Sequence, residues 1–204
     1  WNTETMAQKA EEAGADIIHI DSRFVIVDIK EDKEVLDKLG SQKWCIVYSN
    51  SQFNNYVKFP SKQYIVYDTN LERTDNNSMI GVTISWAQNP EGKYRTAHGR
   101  ADNYVTEKYL IDLGVRDYMT AMTREEMIPK VPELEPEELI QYGFKDEIMD
   151  LIRNGKIDIE NDITKNGKKV NPKENFIKLG AKYGDLEMIK YIKEKGGDVT
   201  FKKD

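Results

Sequence analysis

Apolar positions in the first part of the chain alternate between helical spacing and short β-branched runs. "TETMAQKAEEAG" (3–14) predicts a helix: Thr3 is placed to cap it, the alanines favour it and Gly14 suits its end. "DIIHI" (16–20) and "FVIVDI" (24–29), separated by "DSR", predict a hairpin without the Asn-Gly dipeptide that would make the signal strong. "EDKEVLDKLG" (31–40) predicts a second helix stopped by glycine. Four strands are expected next, at "WCIVYS" (44–49), "QYIVYD" (63–68), "IGVTISW" (80–86) and "YRTAHG" (94–99), with a turn around Asn89-Pro90 and Gly92. "NYVTEKYLIDLG" (103–114) returns to helical spacing, with Val105, Tyr109 and Leu113 on one face. Helices at both ends of antiparallel strands give an α+β domain.

A boundary follows at "MIPKVPELEPEEL" (127–139), where Pro129, Pro132 and Pro136 predict extended backbone. The expected organisation is an α+β domain over 1–128, a Pro-rich linker over 129–136 and an all-α segment over 137–204. The last part carries no strand signal but does carry an internal likeness. "QYGFKDEIMDLIRNGKIDI" (141–159) and "KYGDLEMIKYIKEKGGDV" (182–199) share Tyr-Gly, an acidic start, apolar residues at helical spacing, then glycine. Ile148, Leu151 and Ile152 answer to Met188, Tyr191 and Ile192 at a constant offset, the mark of stacked helical hairpins.

Composition narrows the chemistry. The 204 residues are 39% hydrophobic and 32% charged, with mean hydropathy of −0.69, and no apolar run is long enough to cross a bilayer. No leader of the secretory kind is visible at "WNTETMAQKA", and the absence of an initiator Met implies residues upstream. One cysteine rules out an internal disulfide or a Cys-rich zinc site and fits a reducing compartment; two histidines argue against a metal site built from His. No metal or other cofactor is expected. A net charge of −6 and a pI near 5.2 have the wrong sign for a nucleic-acid protein. The aromatics Trp44, Tyr48, Phe53, Tyr56, Tyr64, Tyr67 and Trp86 lack the basic surround of a base-stacking platform and are expected in the core. P-loop, dinucleotide, His-Glu-x-x-His and calcium-loop patterns are all missing.

Two stretches retain candidate chemistry. If the chain is an enzyme, Cys45 is the nucleophile, His98 its base, and Asp102 or Asn103 the group that orients the imidazole. Against this, Cys45 is expected in mid-strand, with Trp44 on the opposite face of the pleat, and no segment beside it offers an oxyanion hole. A buried, unreactive thiol is the alternative. "HGRADN" (98–103) gathers His98, Arg100, Asp102 and Asn103 where a strand is expected to give way to a helix. It reads either as a site for a carboxylate or phosphate, with Arg100 as its anchor, or as a helix cap with a surface ion pair. His19 is expected to be an exposed or satisfied strand residue, and "DTNLERTDNNSM" (68–79) a surface loop able to carry binding.

Two resemblances add to this. Trp44-Cys45-Ile46 after the Leu39-Gly40 stop, Phe53-x-x-Tyr56, Tyr64-Ile65-Val66 and His98-x-Arg100-x-Asp102-Asn103 resemble a "Trp-Cys" domain of bacteriophage and mobile-element proteins. That domain is distantly similar to PcfJ-like conjugation proteins, and the likeness spans roughly residues 5–110. Residues 174–199, and more loosely 137–159, resemble ankyrin repeats, though without their Thr-Pro-Leu-His tetrapeptide. The resemblances imply a non-enzymatic bacteriophage-type accessory protein that binds a host factor or virion component, in the host-cell cytoplasm or the virion. A Cys-His hydrolase or transferase acting on a small anion, and a nucleotide-binding domain, stay open beside it.

Overall fold

A computed structural model describes residues 2–58, 61–71, 79–85, 94–98, 104–141 and 143–197. The chain divides into two compact units, Trp1–Met127 and Ile128–Asp204.

The first unit is α+β. Its order is α1 (Thr3–Ala13), β1 (Asp16–Ile20), β2 (Phe24–Asp28), α2 (Lys33–Leu39), α3 (Cys45–Tyr48), α4 (Asn50–Lys58), β3 (Ser61–Asp68), β4 (Met79–Ser85), β5 (Tyr94–His98), β6 (Tyr104–Val105), α5 (Glu107–Leu113) and α6 (Arg124–Met127). The six strands form one antiparallel sheet in chain order, each paired with its sequence neighbour. One face carries Val25, Val27, Ile65 and Tyr67 beneath Met6, Ala10, Leu36, Trp44 and Phe53 of the first four helices and their caps. The other carries Ile26, Val66, Ile80 and Val82 against Leu110, Val115 and Met119. Both faces of β2 and β3 are covered, so these strands read as continuous apolar runs. A fully buried Val, Leu or Ile contributes about 1.5–3 kcal/mol, so this double core dominates the unit's stability.

Local chemistry sets the ends. Asn2 rather than Thr3 caps α1, its side chain accepting the Thr5 N–H at 2.8 Å, and Gly14 closes the helix at φ 95°. In the β1–β2 turn Asp21 Oδ1 accepts both Arg23 N–H and Phe24 N–H at 2.7 Å, doing the work expected of Asn-Gly.

Two expectations for this unit are corrected. Residues 44–49 are not a strand: Cys45–Tyr48 is a short helix, because Trp44, Ile46 and Val47 are all buried while Tyr48 is 67% exposed. A pleat would send Ile46 and Val47 to opposite faces. The Lys33 ammonium completes the turn by donating to Val47 O at 2.7 Å. The helix expected over 103–114 starts later. Tyr104 and Val105 form the last strand, Thr106 caps α5 by accepting the Tyr109 N–H, and Gly114 ends it at φ 77°. The turn expected near 89–92 lies outside the described residues.

The second unit begins with 3-10 turns over Ile128–Glu133, followed by α7 (Pro136–Gln141), α8 (Lys145–Arg153), β7 (Ile163–Lys165), β8 (Lys168–Val170), α9 (Pro172–Tyr183) and α10 (Leu186–Glu194). The Pro-rich stretch is therefore wound rather than extended, since proline's fixed φ suits a 3-10 turn and the first turn of a helix. The segment is not all-α either: β7 and β8 pair around Asn166-Gly167, both at positive φ.

The two helix pairs repeat one geometry. Gly143 and Gly184 turn the corner at φ 84° and 69°, and Gly155 and Gly196 end the second helices at φ 71° and 92°. Phe144 N–H to Leu139 O and Asp185 N–H to Gly180 O are the same bond, both at 2.8 Å. These landmarks set an offset one residue longer than that pairing Ile148 with Met188. Glu137 links α7 to Lys182 and Tyr183 at the end of α9, and Arg153 links α8 to Glu187 of α10.

Candidate functional site

The site builds from Trp44 outward. A Cβ on Gly81 would stand 3.0 Å from the indole's six-membered ring, so the ring rests on bare β4 backbone. A larger residue there would push the ring back by a few tenths of an ångström. Trp44 is 1% exposed and leads into α3, which makes Cys45 the first helical residue, partly buried against the core. This overturns the mid-strand placement and its opposition of Trp44 and Cys45 across a pleat.

The strand register brings a second candidate to this place. His98 is the last residue of β5, paired with Gly81 across β4 and with Tyr104 across β6. Cys45 and His98 are thus attached to the two positions that meet at the Trp44–Gly81 contact. Arg100, Asp102 and Asn103 lie outside the described residues. The helix that follows is capped by Thr106 and not by Asp102 or Asn103.

Beside Trp44 the apolar sheet face turns polar. Ser61, Gln63 and Thr83 are buried there, and Gln63 and Thr83 are partners across β3 and β4. Ser61 Oγ donates its single proton to Tyr56 O at 2.7 Å, so it can only accept from Gln63, whose Nε2 lies 2.7 Å away. That fixes the amide orientation. Gln63 Oε1 is left buried without a hydrogen-bond partner, in a residue 3% exposed. A cavity of about 10 Å³ lies at this place, lined by Trp44, Ile46, Gln63, Ile65, Gly81 and Thr83 among others.

A separate polar cluster closes the far ends of β1–β3. Arg23 holds Asp68 with two parallel bonds of 2.9 Å, Nε to Oδ1 and Nη2 to Oδ2, and Asp68 is fully buried. Asp68 Oδ1 also accepts the Asn70 N–H, and Thr69 bonds back to Arg23 O, so the exit of β3 is locked onto the β1–β2 turn. His19 is satisfied: its Nε2 is 2.7 Å from Asp21 Oδ2 and its ring stacks on Tyr118 at 3.7 Å. The bond from His19, with the Phe24 and Arg23 N–H groups, holds the Asp21 carboxyl down at about 2. Sequence reasoning did not single out Gln63, Arg23 or Asp68. Asp21 and Arg23 were visible in a tight turn, but Asp68, the partner of Arg23, sits at the end of a strand 45 residues on.

Of the aromatics, Trp44, Phe53, Tyr64 and Tyr67 are core residues, Tyr48 is exposed, and Trp86 lies outside the described residues. Tyr67 donates to Leu39 O, and burial pushes its phenol far up. Among the described residues no three metal-ligating side chains gather and no helix is long and apolar enough to cross a membrane. No family model matches the chain, nor does any curated protein or solved structure.

Proposed function

We propose that the protein is a non-enzymatic, bacteriophage-type accessory protein that binds another protein, a host factor or a virion component, in the host-cell cytoplasm or the particle. The observation that carries this is the repeated helix pair with a β-hairpin between the copies. Such stacks work by presenting a surface rather than by enclosing a substrate. The hairpin is exposed except at the half-buried Val170, with Ile163 48% exposed at its base and Lys165, Lys168 and Lys169 on its strands. The partner surface that suits it is acidic around an apolar contact. The test is retention of a partner from infected-cell lysate or assembled particles by the immobilised protein, beside the variant Lys168→Glu/Lys169→Glu. Saturable capture that the double variant loses is expected; a protein that retains nothing from either source ends the proposal.

A second function is favoured by one finding. Cys45 opens a helix, and His98 is in register with the glycine beneath its neighbour Trp44, which removes one objection to Cys-His chemistry. Alkylation by iodoacetamide at neutral pH decides it. A native Cys45 that reacts no faster than free cysteine excludes a catalytic thiol.

A further inference from the structure

We propose that the cavity beneath Trp44 is an internal hydration site, holding one water between Gln63 and Thr83. Gln63 Oε1 is an acceptor without a partner, and its amide cannot turn over because Ser61 Oγ has no proton left to give. A buried acceptor left unpaired forfeits the hydrogen bonds it makes with water in the unfolded chain, so a donor at this point is strongly favoured. The space of about 10 Å³ fits one water and no larger molecule. Gln63 and Thr83 face each other across the β3–β4 ladder on the same side of the sheet. They supply the two polar partners that a trapped water requires. The lining is uncharged, with Trp44, Ile46 and Ile65 as walls, so the neutral donor is preferred over a cation such as ammonium.

The occupant is a fixed part of the fold rather than bulk solvent. It lies where the apolar half of the sheet face meets its polar half, and it completes the run of hydrogen bonds from Tyr56 O through Ser61 and Gln63 to Thr83. Oxygen-17 relaxation dispersion counts slowly exchanging waters in solution. Gln63→Met, which keeps the side chain's length and removes its acceptor, is expected to lose one such water relative to the unaltered protein. Equal counts overturn the proposal. A crystal structure of the unaltered protein is the second measurement, needed if Gln63→Met does not fold. Density within hydrogen-bond distance of both Gln63 Oε1 and Thr83 Oγ1 supports the site, and its absence overturns it.

Discussion

Arg23 ties β2 to the end of β3 across 45 residues, and Lys182 ties α9 to α7 across the same separation. Both are charge-assisted bonds of good length, but they do different work. Asp68 is fully buried and its oxygens are met by Arg23 and a backbone N–H, whereas Glu137 and Lys182 are 45% and 61% exposed. A buried carboxylate has no water to return to if its partner leaves, while a surface pair exchanges one set of hydrogen bonds for another. The sheet unit therefore fixes its register with buried links. The helical unit fixes its geometry with glycine corners and treats its ion pairs as optional.

The largest test of this contrast is Trp44→Ala, which empties the contact over Gly81. It is expected to cost about 3–5 kcal/mol in urea denaturation, with hydrogen-exchange protection falling first in β3 and β4. A loss below about 1 kcal/mol would mean that the indole is not what seats α3 on the sheet. Arg23→Met comes next, at about 2–3 kcal/mol, because the Asp68 charge stays buried behind it. If the midpoint hardly moves, the contrast between buried and exposed pairs fails. Gly184→Ala is expected to cost about 1 kcal/mol, since a Cβ there meets no atom within 4 Å and only the positive φ opposes it.

A smaller effect is written in pH. The Asp21 carboxyl is held at about 2, below its ordinary value of 3.8, so its contribution is complete above about pH 4 and disappears as pH falls through about 2. A carbon-13 titration of Asp21 should show this low midpoint, and His19→Ala should move it back upward. The smallest change is expected from Lys182→Met: a denaturation midpoint within experimental scatter, with the Glu137 carboxyl, now held low by Lys182 and Tyr183, rising towards its ordinary range.

The α+β class was legible because β2 and β3 are apolar on both faces and α1 and α2 carry their own caps and glycine stops. Residues 44–49 were not, since a short apolar stretch in which Trp44, Ile46, Val47 and Tyr48 are aromatic or β-branched fits either period and only long-range contacts decide. Those contacts are Gly81 under Trp44 and Lys33 on Val47 O. The hairpin over Ile163–Val170 failed for the opposite reason. Its Asn166-Gly167 turn was present in the sequence, but three-residue strands that are almost wholly exposed have no apolar alternation to announce them. In the candidate site, Cys45 and His98 were identified by residue type, but the pairing of His98 with Gly81 is set by the β4–β5 register. Gln63 is a polar residue in an apolar strand, and that oddity was its one visible signal.

The way the sheet ends has a consequence for association. Its outer strands are β1, where Ile18 is an extra residue that breaks the register opposite Val27 and Ile26, and β6, which is two residues long. Asp16 begins β1 and pairs with Lys30, placing charge at the margin. A bulge twists the rim away from a straight template, and a two-residue rim offers almost nothing to copy. A sheet this apolar on both faces would otherwise invite other chains to extend it edge to edge. The irregularity at Ile18 protects the unit from aggregation, and straightening β1 would remove that protection.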